Sequence, residues 1–190
     1  DSDTQLPPGR LRSLVGVAEH PENQPRLDAT GQRVVQGYGI LQPRVLAPLP
    51  TSATTSLWQW LFAGQQGLDP YSAMTSDVYQ DFFAEGSFTG KGLLHVATVH
   101  AVLGGRLPAD QVLSHDLLEG ALARCAVVSD VTLVEAEPEH SDTAAARLHR
   151  WTRGDWQLWP FLAQAQRWGL SSINRCLLYT SPSPRDQRGS

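Results

Sequence analysis

The chain has 190 residues, 41% hydrophobic and 18% charged, enough for one domain with a real core or for part of a larger one. A formal net charge of −4, with Lys91 as the single lysine, leaves no basic face of the kind that non-specific nucleic-acid binding needs. Two cysteines, Cys125 and Cys176, make neither a disulfide framework nor a zinc site, no apolar run is long enough to span a bilayer, and the first residues do not read as a secretory signal.

The elements follow in chain order. After the opening Asp1-Ser2-Asp3, the stretch GRLRSLVGVAEH carries Leu11, Leu14, Val15 and Ala18 at helical spacing. QRVVQGYGILQPRV is rich in β-branched residues and is expected to be a strand closed by Pro43. LPTSATTSLWQWLFAG starts on Ser/Thr cap candidates and ends on Gly64, a helix with both punctuation marks. DPYSAMTSDVYQDFF is ambiguous, and EGSFTGKG is a glycine-rich loop. LLHVATVHAVLGG and SHDLLEGALARCA are two further helices. In the second, Ser114 is a candidate N-cap, and Leu117, Leu118, Ala121, Leu122 and Cys125 form the apolar side. AVVSDVTLVEAEPE holds a short strand, and a long helical pattern then runs from Ser141 to about Leu170, broken at Pro160. Strands alternate with helices, so the class is α/β, with no internal repeat and no linker that splits the body.

Five constellations can carry chemistry. Asp1 and Asp3, at i and i+2 on extended chain, point to one side and offer the oxygen ligands that hard divalent cations take; the same pattern also occurs in ordinary polar loops. GSFTGKG invites a phosphate-loop reading, but three residues instead of four precede Gly-Lys and Gly92 follows it, so the glycines are read as a tight turn or a close approach to a ligand. Asp77, Asp81 and Glu85 make one acidic face if helical, which solvated helices also show. Asp116, with His115 and Glu119 nearby, falls in the first turn of a helix, where the dipole favours a carboxylate; it is either a helix cap or a general base at a cleft rim. Arg147, Arg150 and Trp151 share one helical face, two cations able to bind a diphosphate beside a flat platform for a sugar ring. Trp156, Trp159 and Trp168 follow, read as a tryptophan-rich core face or as a helix at a membrane interface.

The order of these motifs is more specific than any one of them. D-x-D, a Phe-Phe…Gly-Ser loop, His-Asp and then R-x-x-R-W resembles the processive, membrane-bound inverting glycosyltransferases such as cellulose synthase. The strings GYGILQPRV, LFAGQQGLDPYSAMTSDVYQDFFAEGSFTGKG, LSHDLLEG and RLHRWTRGDWQLWP look like the glycosyltransferase domain of cyclic β-1,2-glucan synthase, over residues 1–175. The resemblance implies the C-terminal part of a GT-A-like, Rossmann-like domain, truncated at both ends. It also implies glucose transfer from UDP-glucose to the 2-hydroxyl of a growing β-1,2-glucan at the cytoplasmic face of a bacterial inner membrane. Asp1 and Asp3 would hold Mg²⁺ or Mn²⁺ against the diphosphate, and Asp116 would be the catalytic base. Arg147 and Arg150 would bind the donor diphosphate and Trp151 the acceptor sugar. Phe82, Phe83, Gly86 and Ser87 would lie near the acceptor end, and the Trp-rich 151–170 segment would rest on the membrane.

The sequence departs from the family at Leu94 and His95, which stand where Tyr and Asp are usual, and His115 stands where cellulose synthases carry an acid. The uridine-binding half, the membrane helices and a phosphorylase-like region are expected outside this stretch. The tail CLLYTSPSPRDQRGS, from Cys176 to Ser190, resembles a translated sequencing adapter or a disordered Pro/Ser tail, and either reading expects it to be unstructured. The fragment is expected to be inactive and poorly soluble. The competing readings are another membrane-bound processive β-glycan synthase, a two-carboxylate glycoside hydrolase pairing Asp116 with Asp81 or Glu85, and a non-catalytic peripheral membrane module.

Overall fold

The computed structural model describes residues 4–46, 56–57, 78–107, 112, 115–135 and 140–180. A four-stranded mixed sheet runs through it in the order β1-β6-β4-β5. Its strands are β1 (Thr4–Gln5), β4 (Ile40–Leu46), β5 (Leu93–Leu94) and β6 (Cys125–Glu135). β4 and β6 are parallel, while β1 on β6 and β5 on β4 are antiparallel. A separate hairpin joins β2 (Arg26–Leu27) to β3 (Val34–Gln36). The helices are α1 (Arg10–Ala18), α2 (Val78–Phe83), α3 (Val96–Leu103), α4 (Asp116–Ala123), α5 (Ser141–Trp156), α6 (Trp159–Ala163) and α7 (Ser172–Thr180). The fold is mixed α/β, in keeping with the class read from the sequence.

Alternation along the central strands gives the sheet two buried faces. Ile40 and Cys125 face one core with Val102 of α3, Leu118 and Leu122 of α4, and Phe161 of α6. Their neighbours Leu41 and Ala126 face the other, against Leu14 of α1. Cys125 thus sits on β6 rather than on the apolar side of the helix before it, fully buried as a small core residue. The turn between α4 and β6 is a single residue, Arg124, at φ 56°.

The structure redraws several elements. Val34 to Leu46 is two strands parted at Gly37, whose φ of 66° breaks the extended run. Pro43 lies inside β4, not at its end, where the register against β6 jumps from Val128 to Thr132. A residue with no N–H is tolerated at such an irregularity. Leu93–Leu94 is strand rather than helix, and α3 begins at Val96 with His95 as its N-cap; the His95 Nδ1 accepts from the Thr98 N–H at 3.3 Å. β6 is the longest strand, with 11 residues, not a short one. The helical pattern after Ser141 breaks at Gln157–Leu158, ahead of Pro160, because proline fits the first turn of α6 but cannot continue α5. Helix α7 runs to Thr180, so the first residues of the tail are helical where the sequence predicted no structure. The helix expected over 49–64 lies outside the described residues, Ser56 and Leu57 apart.

Candidate functional site

Charged side chains gather at the two ends of β6. At its start, α4 hands directly to Cys125, and Asp116 is the first residue of that helix. The N-cap position belongs to His115, without a side-chain cap bond; Ser114 lies outside the described residues. The His115 Nδ1 meets the Glu119 Oε1 at 2.8 Å across one helical turn. Asp116 is half-buried beside them. His115, Asp116 and Glu119 each offer one ligand atom, all within 4.8 Å of one another. The two carboxylates suit Mg²⁺ or Mn²⁺, whereas the imidazole is a ligand for zinc, copper, iron or nickel and here lies against Glu119. Burial pushes the Glu119 carboxyl above its ordinary range; His115 pulls it down and the Asp116 charge pushes it up further.

At the other end of β6, Glu135 is 6% exposed and is paired across the sheet with Thr4 of β1. Its Oε2 is bound by the Lys91 ammonium, and its Oε1 lies 3.9 Å from Nη2 of Arg147. Lys91 Nζ also donates to Thr4 Oγ1 at 2.8 Å. Arg147 stacks on Trp151, with its guanidinium carbon 4.8 Å from the ring centroid. Three segments remote in sequence, the glycine-rich loop, β1 and α5, therefore meet on one buried carboxylate. Arg150, on the same helix, is exposed. Thr4 follows directly on Asp3; Asp1 and Asp3 lie outside the described residues.

The loop between the two ends is held by two glutamines. The Gln42 amide spans it: Nε2 donates to the Ser87 carbonyl at 2.9 Å, and Oε1 accepts from the Thr89 N–H at 2.6 Å. Gln80 does the same for β6, donating to the Val127 carbonyl at 3.1 Å and accepting from its N–H at 2.6 Å. Gly86 closes the loop on β6 by donating to the Cys125 carbonyl at 2.8 Å. A Cβ at Gly86 would stand 2.7 Å from the Val127 side chain, so the backbone approach needs glycine. Phe82 is 80% exposed and Phe83 is partly exposed, at the end of α2. Gly86 and Ser87 line a small cleft with Leu117, Gly120 and Ala121 of α4 and Asn174 of α7.

Some expected groupings do not form. The acidic face of Asp77, Asp81 and Glu85 is broken because α2 ends at Phe83 and Ala84 turns to φ 54°. Glu85 then swings inward, 3.6 Å from Arg124 Nε, and burial raises its carboxyl above the ordinary range against the pull of Asn174 and Arg124; Asp77 lies outside the described residues. The tryptophans divide: Trp156 and Trp159 are exposed, whereas Trp168 stacks on Phe161 at 4.7 Å and under Arg106. Among the described residues no helix is long and apolar enough to cross a membrane. Sequence reasoning missed Glu135, Lys91, Gln42 and Gln80. The one usable signal was Lys91, the single lysine of the chain, set between two glycines.

No family model matches the chain. It is 48% identical over 179 residues to the cyclic beta-(1,2)-glucan synthase NdvB of Rhizobium meliloti (strain 1021), a stretch of 94% of this chain and 6% of that protein. The resemblance seen in the motifs therefore holds along almost the whole chain, which spans a small part of the curated relative's length.

Proposed function

We propose that this chain is part of an inverting, processive glucosyltransferase that moves glucose from UDP-glucose to the 2-hydroxyl of a growing β-1,2-glucan. The observation that carries this reading is the meeting of Lys91 and Arg147 on Glu135 beside Thr4, one residue after the D-x-D. Cations beside a pair of carboxylates are what a metal-linked diphosphate needs.

In this reading Asp116 takes the proton of the acceptor 2-hydroxyl, whose oxygen attacks the anomeric carbon opposite the UDP leaving group. One base and one in-line displacement convert an α-linked donor into a β-linked product, so no carboxylate nucleophile is needed. Arg147, with Arg150 near it, neutralises charge on the departing diphosphate. A divalent cation, Mg²⁺ or Mn²⁺, held by Asp1 and Asp3 would supply further charge stabilisation when bound. Trp151 offers its ring to the acceptor, and Phe82, Phe83, Gly86 and Ser87 lie along the acceptor path. The domain would be of GT-A type and work at the cytoplasmic face of a bacterial inner membrane, with Trp156 and Trp159 as the residues able to meet the interface. The chain alone is expected to be inactive.

The test uses the full-length rhizobial relative with its matching segment exchanged for this one. Asp116→Asn is expected to lower glucosyl transfer from UDP-glucose by about 10²–10⁴-fold while UDP binding persists. Undiminished transfer overturns the assignment. A second reading, a peripheral membrane module, rests on the exposed Trp156 and Trp159. Vesicle binding with no UDP or metal dependence would favour it.

A further inference from the structure

We infer that Lys91 is a donor-phosphate residue: with Arg147 it forms a two-cation cradle for the diphosphate, and Glu135 is the positioning residue that holds both. The inference rests on the glucosyltransferase reading above and extends it to Lys91 and Glu135, to which the sequence reading gave no role. It also ranks the cations, making Lys91 rather than Arg150 the second partner of Arg147.

Four observations build the cradle. Glu135 is buried, so its charge must be paired, and two cations from different segments pair it. Both cations keep part of their side chains exposed, 16% and 19%, within reach of a ligand. The hold is unequal. Lys91 is in close contact with the carboxylate, whereas Arg147 stands off at 3.9 Å with its guanidinium carbon over the Trp151 ring, so its forked N–H donors can turn to a phosphate without leaving the pair uncompensated. The loop that carries Lys91 is fixed in place. Gly90 has φ 95°, and a Cβ at Gly92 would stand 2.9 Å from the Leu41 carbonyl, so the backbone takes a path that a side chain on either glycine would disturb. Arg150 is exposed one turn beyond Arg147.

The competing explanation is that Lys91 merely pins β1, which pairs with β6 over two residues and is clipped by the Thr4 Oγ1 bond. Ligand binding separates the two. In the full-length relative carrying this segment, UDP, uridine and inorganic pyrophosphate are titrated by calorimetry, with Mn²⁺ and with EDTA. Lys91→Met, which keeps the length and removes the charge, is expected to weaken UDP and pyrophosphate about tenfold or more in both conditions and to leave uridine unchanged. Lys91→Arg is expected to restore most of the loss, and Arg150→Met to change UDP affinity less than Lys91→Met. Equal weakening of uridine, a loss confined to the Mn²⁺ titration, or no loss overturns the inference. If the unsubstituted protein binds pyrophosphate through Lys91 but not UDP, the glucosyltransferase reading falls and the cradle stands.

Discussion

The two ends of β6 are held by opposite means. At the start, Cys125 sits among Ile40, Leu118, Leu122 and Ala123 while Ala126 packs with Leu14 and Leu41 on the other face, and apolar packing fixes the strand between two helical layers. At the finish, Glu135 is as deeply buried as Ala126, at 6% exposure each, yet it is held by Lys91 and Arg147. Packing holds position without selecting a ligand. A buried carboxylate costs desolvation, which its cations offset, and the same cations can answer an incoming anion. One strand thus joins an end fixed by apolar packing to an end fixed by charge.

The sharpest way to break this comparison is to cut each end in turn. Leu122→Ala removes a fully buried side chain and is expected to cost about 2–5 kcal/mol in urea unfolding, the same at low and high salt. Glu135→Ala is expected to cost less, about 2–3 kcal/mol, because Lys91 and Arg147 are partly exposed and regain water. Its cost should shrink with added salt, which screens the two freed cations. Equal salt sensitivity in the two variants would erase the distinction. The smallest effect is expected at the loop between the ends. Burial raises the Glu85 carboxyl above its ordinary range, so the fold prefers the protonated form. Stability from that preference is complete below the unfolded value and is lost as pH rises through the folded one. Glu85→Gln keeps a hydrogen-bonding side chain and loses the charge. It should therefore match the parent at about pH 4 and be slightly more stable at pH 7; a parent that gains on the variant as pH rises would reverse the sign.

The helices around the core were legible because burial repeats at helical spacing. Leu118 and Leu122 fall four residues apart and are both fully buried, and Leu14 faces the sheet from α1 as its spacing predicts. His95 shows where a sequence departure has a local explanation. It stands at the N-cap of α3, where the resemblance expects Asp, and its imidazole nitrogen accepts the backbone bond that a carboxylate would take. Boundaries were less legible. Pro43 reads as a stop, but the register shift on β6 lets it remain inside a strand. The acidic spacing of Asp77, Asp81 and Glu85 reads as one face, but the helix ends before Glu85.

The sequence by itself determined the α/β class, the buried Leu118 and Leu122 of α4 and the family resemblance, because periodicity and motif order are local properties of the chain, whereas Leu11 and Val15 of α1 share the spacing of Leu14 and are exposed. It also marked Asp116, Arg147 and Trp151, which sit close together within their own helices. Only the tertiary structure decided that Lys91, Thr4, Glu135 and Arg147 belong together. Lys91 and Thr4 are 87 residues apart, and no spacing rule reaches that far. The physical reason is sheet order: β1 returns to lie antiparallel on the end of β6, and a carboxylate buried at that edge gathers whichever cations the fold brings to it.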